Sequence, residues 1–256
     1  LGPHAIYSMK LEQLEQTRNL ANNLNTPISI HLSESQFESE FSTQNYEMTS
    51  IEALESINFF EGTTIAAHVV WPSDKEIEIL AQRNVGVVHN PTSNMKLSSG
   101  VAPISKMIEA GVLVGLGTDG AASNNDLDMW EEMRLASLLQ KVTSMDPEVL
   151  PAIEVLRMAT SNGAKIIGME NEIGTIAEGM KADIIQIAYD DVHHIPSYDI
   201  ASHLVYVTDE QDVMNVIIDG KLIMHQREFL TLDTEQIREE VTSISNTIKE
   251  TMNSNQ

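Results

Sequence analysis

The stretch VLVGLGTD at residues 112–119 is a short apolar run that ends at the carboxylate Asp119. We interpret residues 112–118 as a β-strand, and runs of the same kind occupy residues 27–32, 63–70 and 85–90. Amphipathic patterns with helical spacing separate these runs. Strands that alternate with helices at this spacing predict a parallel sheet covered by helices.

The helical patterns carry their own start and stop signals. Ser73 and Glu76 form a capping-box pattern at the start of one predicted helix, and Gly111 marks the end of another. Helices are predicted at 9–24, 49–57, 73–83, 102–110, 127–140 and 151–167.

Beyond about Met169 the pattern changes to short predicted strands. These lie at 173–176, 182–188, 202–207 and 213–218, and Asp219-Gly220 predicts a hairpin turn into 222–224. Residues 234–253 then predict a polar amphipathic helix. Its apolar stripe consists of Ile237, Val241, Ile244 and Ile248. We therefore expect a parallel-sheet portion at 1–169, a β-rich portion at 170–230 and a C-terminal helix at 231–256.

The composition excludes several classes of function. The 256 residues include 38 acidic and 15 basic ones, which gives a formal charge of −23. Such a chain repels phosphate backbones and anionic membranes, so we expect neither nucleic acid nor a membrane as a partner. No cysteine is present, so a metal site would have to use His, Asp or Glu. No apolar run approaches the roughly 18 residues of a membrane span, and we expect a cytoplasmic enzyme.

Each predicted strand, and the first segment at 1–4, ends in or next to a polar residue able to bind metal or move protons. Because the strands of a parallel barrel open their carboxyl ends on one face, such residues would converge there. A single histidine after an apolar strand is more often a hydrogen-bonded core or loop residue, and the pattern alone leaves both interpretations open. The residues concerned are His4, His31 with Glu34, His68, His89 and Asp119.

Several longer stretches resemble the amidohydrolase deaminases, in particular the methylthioadenosine/S-adenosylhomocysteine deaminase family. They are HLSE at 31–34, AHV at 67–69, HNPTSNMKL at 89–97, GTDGAASNN at 117–125 and ATSNGA at 159–164. The resemblance implies a (β/α)8 TIM barrel of the metal-dependent hydrolase type. Residues 1–169 would be its C-terminal portion, and residues 170–230 part of a small composite β-sandwich. The family's His-x-His metal motif does not occur here, so we expect it in a preceding segment and expect residues 1–256 alone to be inactive.

The resemblance also implies roles for individual residues. One divalent ion, zinc in the first place and iron as the alternative, would be bound by His31 and Asp119. Asp119 would take a proton from the attacking water, and Glu34 would pass one to the ring nitrogen, both in contact with the substrate. His68 would orient the nucleophile without binding metal, and His4 would contact the nucleoside. The implied reaction converts methylthioadenosine or S-adenosylhomocysteine, as small-molecule substrates, to the inosine counterpart and ammonia.

Other interpretations of the same residues stay open at the level of sequence. Glu34 could be a first-turn helix residue and Asp119 a turn cap. His89 could line the pocket or support the loop at 90–94, and Trp71 could be a pocket wall or strand-end packing. Asn94, Ser123, Asn124 and Asn125 are expected to fix loop geometry through bonds to the backbone. His193 and His194 are expected in a solvated loop.

The function has rivals as well. One is related hydrolysis by a guanine or cytosine deaminase or a triazine chlorohydrolase. Another is a non-catalytic relative that serves as a scaffold, which the absence of a His-x-His motif upstream would favour. The family often forms homodimers, and the sequence does not decide the oligomeric state.

Overall fold

The computed structural model describes residues 1–254, and the chain divides into two compact units. The first unit comprises Leu1–Met180 and Asp191–Glu210. The second comprises Lys181–Asp190 and the residues from Gln211 onward. Each unit contains one four-stranded sheet.

The first unit is built on a parallel sheet with its strands in chain order, β1-β2-β3-β4. The strands are β1 (Ile28–Leu32), β2 (Thr64–His68), β3 (Gly86–His89) and β4 (Leu113–Leu116). All four were predicted from the sequence, and each lies within the predicted run. Neighbouring strands that follow one another in the chain are the repeating unit of a (β/α) barrel. Within residues 1–254 this sheet is open rather than closed on itself.

Helices connect the strands and follow the last one. They are α1 (Leu11–Leu24), α2 (Gln36–Tyr46), α3 (Ser50–Ser56), α4 (Asp74–Gln82), α5 (Pro91–Lys96), α6 (Ile104–Glu109), α7 (Ala121–Asn124), α8 (Met129–Ser144), α9 (Ala152–Ala159) and α10 (Ser161–Ile166). The predicted capping box is present at α4, where Ser73 and Glu76 satisfy each other's backbone N–H groups. The short helices α5 and α7, and the helix α2, were not predicted.

The core of the first unit lies between the sheet and these helices. Strand residues such as Ile30, Ala66 and Val87 are fully or almost fully buried. Helix α10 approaches the sheet closely at Gly86, because a Cβ there would lie 2.7 Å from a side-chain carbon of Ile166. Glycine at this position therefore permits the contact between helix and strand.

The first residues of the chain extend along β1 without forming a regular strand. The backbone N–H of Ser29 donates to Leu1 O at 2.9 Å, and that of His31 donates to His4 O at 3.0 Å. The segment therefore runs beside β1, and His4 lies level with His31.

Three predicted elements were wrong, two of which lie in helical parts of the first unit. The predicted helix at 151–167 is broken at Thr160, whose φ of −129° and ψ of −95° are not helical. The break lets the Asn162 side chain donate to Val114 O at 2.9 Å on β4. The predicted strand at 202–207 is the helix α11 (Ile200–Tyr206). Asp199 caps this helix, and the Tyr206 hydroxyl forms a hydrogen bond with Ser137 at 2.6 Å. The cap and this tertiary contact favour a helix, although the β-branched residues of the segment favour a strand.

The second unit is antiparallel. Its strands are β5 (Ile184–Ile187), β6 (Val213–Ile218), β7 (Lys221–His225) and β8 (Glu228–Phe229), paired in that order. The hairpin predicted at Asp219-Gly220 joins β6 to β7, with Ile218 opposite Lys221. Residues 173–176, which were predicted as a strand, form bends and an irregular stretch in the first unit.

Helix α12 (Thr234–Ser254) ends the described chain, in agreement with its prediction. None of its residues is buried, and its apolar stripe is 45–60% exposed. No helix among the described residues combines the length and the apolar character that a membrane span requires.

Candidate active site

The carboxyl ends of the parallel strands bring three metal-binding side chains together. His31 lies in β1, His68 ends β2, and Asp119 follows β4 by three residues. One ligand atom from each lies within 4.8 Å of the others. The convergence arises because neighbouring parallel strands end on the same edge of the sheet.

Sharp turns in the backbone follow these strands. Ser33, His68, Val69 and Asp119 have φ values of 50°, 75°, 45° and 61°, a region that non-glycine residues adopt rarely. Val69 is β-branched, so its conformation is costly. Two hydrogen bonds hold this turn, from Val69 N–H to Leu32 O at 3.0 Å and from Val70 N–H to Ser33 O at 2.9 Å. Backbone strain of this kind occurs at sites where side-chain placement matters.

Hydrogen bonds fix which nitrogen each histidine presents to the site. His31 Nδ1 lies 2.9 Å from His4 O, and a carbonyl only accepts, so Nδ1 carries the proton. His68 Nδ1 lies 2.8 Å from Asn94 Oδ1 and donates to it in the same way. In the neutral form of each ring, Nε2 is therefore the nitrogen with the free lone pair. This is the arrangement in which histidine binds a metal ion.

Asp119 is held in its ionised form. Partial burial raises the pKa of its carboxyl group, whereas hydrogen bonds from Ser93 and Gly120 lower it. The Ser93 hydroxyl donates to Oδ2 at 2.6 Å, and the Gly120 N–H donates to Oδ1 at 2.7 Å. With smaller contributions from His68 and Ser123, the pKa lies below its ordinary value. The carboxylate is thus available as an anionic ligand or as a proton acceptor at neutral pH.

Glu34 faces the same place. Its Oε2 lies 3.8 Å from His68 Nε2, and its Oε1 accepts a bond from the Ser99 hydroxyl at 3.4 Å. The side chain is 20% exposed, so it is reachable from outside while being held by neighbours. A carboxyl group in this position can exchange a proton with a bound molecule.

A second glutamate holds the loop that carries Glu34. The buried Glu38 carboxylate accepts bonds from the N–H groups of Ser33 at 2.8 Å and Glu34 at 3.1 Å. Burial raises the pKa of Glu38 although these hydrogen bonds, with one from Ser50, lower it. Glu38 therefore fixes the backbone between His31 and Glu34.

Glu132, on α8, fixes the loops after β3 and β4 by accepting hydrogen bonds from them. Its carboxylate accepts from Thr92 N–H at 3.2 Å and from Asn124 Nδ2 at 2.7 Å. Asn124 Nδ2 also donates to Thr118 O at 2.8 Å, next to Asp119. Burial raises the pKa of Glu132.

His4 lies at the edge of this group. Its ring centroid is 4.8 Å from that of His31, which in turn stacks on His68 at 5.3 Å. The His4 side chain is exposed, so it can contact a molecule bound beside His31. All five residues assigned from the sequence, namely His4, His31, Glu34, His68 and Asp119, thus form one group.

The structure also places the residues whose roles were open. His89 is 1% exposed, and its ring nitrogens make no hydrogen bond within residues 1–254. Burial, followed by the nearby His68, lowers the pKa of His89 to about 3, so the ring is neutral at physiological pH. Trp71 donates from Nε1 to Ser99 O at 2.7 Å and remains 44% exposed.

The expectation of a solvated His193-His194 loop was wrong in one respect. The pair lies in the 3-10 helix Val192–His194, which belongs to the first unit, and His194 is 1% exposed. His203 lies on α11 in the same unit, so His193, His194 and His203 all lie outside the second unit, although the sequence places them within the β-rich portion at 170–230.

Sequence reasoning missed several residues that hold the site in place. Asn94 was expected to bond the backbone, but its Oδ1 bonds the His68 side chain. Ser93, Glu38 and Glu132 were given no role. The stretch HNPTSN at 89–94 contains two of these residues, Ser93 and Asn94, but nothing in a single sequence shows which side chain each one reaches.

The donor set fits a divalent cation. Two neutral imidazole nitrogens and one carboxylate are ligands that zinc accepts at about 2.0–2.2 Å, so ligands of one ion lie up to about 4.4 Å apart. The observed spacing of 4.8 Å or less is close to this value. The hydrogen bonds to His31, His68 and Asp119 orient all three donors before any ion binds.

Comparison with known proteins agrees with the fold and with a site for a divalent metal. A profile of the amidohydrolase family matches residues 1–223. A 5-methylthioadenosine/S-adenosylhomocysteine deaminase from Carboxydothermus hydrogenoformans is 50% identical over 238 residues, which are 93% of this chain and 55% of that protein. The chain therefore spans about half the length of this relative.

Solved structures superpose closely on the same residues. A crystal structure of an adenosine deaminase from Xanthomonas campestris with bound zinc matches with a TM-score of 0.95 and 34% identity, over 97% of this chain and 57% of that one. A zinc complex of an atrazine chlorohydrolase from Arthrobacter aurescens matches with a TM-score of 0.90 and 29% identity, over 95% and 54%. The chain belongs to the amidohydrolase family, and its parallel sheet is part of a TIM-barrel-type hydrolase fold.

Proposed function

We propose that the protein containing this chain is a metal-dependent deaminase of adenine nucleosides of the methylthioadenosine and S-adenosylhomocysteine type. The observation that carries the proposal is the group formed by His31, Glu34, His68 and Asp119: donor atoms of His31, His68 and Asp119 lie within 4.8 Å of one another, and the Glu34 carboxyl lies 3.8 Å from His68 Nε2. The names of similar relatives agree with this reaction.

His31 and Asp119 would hold the ion, for which zinc is the first choice given the donor types. A bound divalent ion lowers the pKa of water to about 7 and so supplies hydroxide at neutral pH. His68 Nε2 lies within the same group and would orient the attacking oxygen. We assign His4 to contact with the nucleoside, because its exposed ring lies beside His31.

Two carboxyl groups, those of Asp119 and Glu34, would carry all the proton transfers that the deamination needs. Water adds to the purine carbon that bears the amino group, and Asp119 takes one of its protons. Glu34 gives a proton to the adjacent ring nitrogen, which removes aromatic stabilisation and lets the adduct form. Asp119 then protonates the amino group, the C–N bond breaks and ammonia leaves. As the carbonyl forms, the remaining hydroxyl proton returns to Glu34.

The test is Glu34→Gln in the full-length protein. The amide keeps the shape of the side chain but cannot exchange the proton, so turnover should fall by at least about 100-fold, the usual contribution of a general acid–base group. The measurements are inosine and ammonia formation from 5′-methylthioadenosine, together with metal content by elemental analysis. Metal content should stay at the wild-type level, since Glu34 is not assigned as a ligand.

A matched control is Glu40→Gln, which alters an exposed residue of α2 and should leave turnover unchanged. Turnover of Glu34→Gln within a few-fold of wild type would contradict the proton-transfer role. Loss of metal from this variant would make Glu34 a ligand or a structural support instead.

A second function is supported by the likeness to the atrazine chlorohydrolase. The same group could displace chloride from a triazine ring, which needs an activated water but a different leaving group. Parallel assays with atrazine and 5′-methylthioadenosine distinguish the two. Chloride release without ammonia release would replace the proposed function.

A further inference from the structure

One short segment reaches both side chains on which proton transfer at the site would depend. Residues 94–99, which we call the bridging turn, begin at Asn94, whose Oδ1 accepts a hydrogen bond from His68 Nδ1 at 2.8 Å. They end at Ser99, whose hydroxyl donates to Glu34 Oε1 at 3.4 Å. The Ser99 N–H donates to Asn94 O at 2.8 Å and closes the turn. Glu34 and His68 are therefore held from the two ends of the same segment.

Trp71 fixes the Ser99 end of the bridging turn. Its indole Nε1 donates to Ser99 O at 2.7 Å, and its backbone N–H donates to Ser33 O at 3.1 Å, next to Glu34. Gly100 permits a close approach to Trp71, because a Cβ there would lie 3.0 Å from the indole ring, and its φ of +127° also favours glycine. Trp71 thus ties Ser99 to the segment that carries Glu34.

The Glu34 side chain needs such support to keep one position. A glutamate side chain has several rotatable bonds, and ordering it costs conformational entropy. Across residues 1–254, the Ser99 hydroxyl donates the one hydrogen bond that the Glu34 side chain receives. Because that bond occupies Oε1, Oε2 is the oxygen that remains free to exchange a proton, and it lies 3.8 Å from His68 Nε2. The buried Ser99 therefore selects which carboxyl oxygen faces the site.

We propose that Ser99 and Trp71 are positioning residues that keep Glu34 Oε2 directed at the bound substrate, Ser99 through its hydroxyl group and Trp71 by holding the Ser99 carbonyl. This inference rests on the proposed function and deepens it, because it concerns the proton transfer assigned to Glu34. A general acid must lie within hydrogen-bond reach of the atom that it protonates, and hydrogen bonds at such groups often shorten when the substrate binds. Loss of either contact would leave the carboxyl group correctly placed for less of the time and so slow turnover.

The first measurement separates turnover from substrate binding. We compare kcat and KM for 5′-methylthioadenosine in the full-length wild type, Ser99→Ala and Trp71→Phe. Ser99→Ala removes the hydroxyl group, and Trp71→Phe removes the indole N–H but keeps an aromatic ring. Each change should lower kcat by about three- to tenfold, the effect of one lost hydrogen bond. KM and metal content should stay at the wild-type values.

The second measurement repeats both changes in the Glu34→Gln background. They should cause no further loss there, because the group that they position no longer transfers a proton. Ser105→Ala is the matched control, since it removes another serine hydroxyl of the first unit, one that bonds Gln140 Oε1 at 3.3 Å instead of a residue of the site. The control should leave kcat unchanged in both backgrounds.

Three results would overturn the inference. Wild-type kcat in both Ser99→Ala and Trp71→Phe would show that Glu34 keeps its position without these contacts. A loss by the same factor in the Glu34→Gln background would mean that the two residues support the fold alone. A higher KM at unchanged kcat would make them substrate contacts. Failure of the proposed function is recognised separately, because the full-length wild type would then release no ammonia from 5′-methylthioadenosine.

Discussion

The two units of this chain use their sheets differently. In the parallel sheet, apolar strand residues such as Ile28, Ile30 and Val87 are at most 1% exposed. In the antiparallel sheet, the β6 strand is half-buried along most of its length, and Ile218 is 51% exposed. Among the described residues of the second unit, Met224 is the one hydrophobic residue that is buried. The first unit thus has a core of its own, and the second has little.

This difference explains why the candidate site belongs to the first unit. Side chains at the ends of tightly packed strands have few alternative positions, because well-packed interiors resist displacement. His68 and Asp119 also have costly backbone conformations, which only such a rigid frame can maintain. The second unit, with its exposed apolar residues, offers no comparable frame.

The largest expected effect follows directly from the contrast in burial. Ile30→Ala removes a buried side chain from β1 and should lower the free energy of unfolding by about 2–5 kcal/mol. Ile218→Ala, the same change at an exposed position of β6, should cost less than about 1 kcal/mol. Urea unfolding followed by tryptophan fluorescence measures the first variant, since Trp71 and Trp130 both lie in the first unit. Far-ultraviolet circular dichroism measures the second. Equal costs would remove the distinction between the units.

A smaller effect concerns the buried carboxyl group under the site. Burial raises the pKa of Glu38 in the folded state above that in the unfolded state. Folding therefore favours the neutral, protonated form of Glu38. The contribution of this protonated side chain to the free energy of unfolding is complete below the unfolded pKa of about 4.5 and is lost as pH rises through the folded pKa.

Glu38→Gln should accordingly flatten the fall in unfolding free energy with rising pH across that window. The exposed Glu40→Gln on the same helix should leave the slope as in the wild type. The slopes come from urea unfolding at a series of pH values above 4. A slope in Glu38→Gln identical to that of the wild type would contradict the raised pKa.

The smallest effect is expected on α12. Ile244 is 60% exposed, so Ile244→Ser should change the unfolding free energy by no more than about 0.5 kcal/mol. The measurement is urea unfolding at two protein concentrations. A loss of more than about 1.5 kcal/mol, or one that depends on concentration, would mean that the stripe is covered in solution and would weaken the contrast drawn above.

Part of the fold followed from local patterns alone. The four parallel strands and the capping box at Ser73 were predicted because burial and capping leave signals within a few residues. The strand assigned at 202–207 was wrong because β-branched residues there are held as a helix by Asp199 and by the Tyr206 contact with Ser137. The uninterrupted helix expected at 151–167 failed for a similar reason, the bond from Asn162 to β4.

The sequence by itself determined the strand–helix alternation, the polar residue after each strand, the absence of thiolate ligands and the likeness to a family. These depend on residue types and on short spacings. Only the tertiary structure decided that His68 bonds Asn94, that Ser93 and Gly120 lower the pKa of Asp119, and that Tyr7 lies against Phe37. The partners in the first two contacts lie up to 26 residues apart, and those in the third lie 30 residues apart. Contacts over such separations depend on how the strands and loops pack, which no local pattern records.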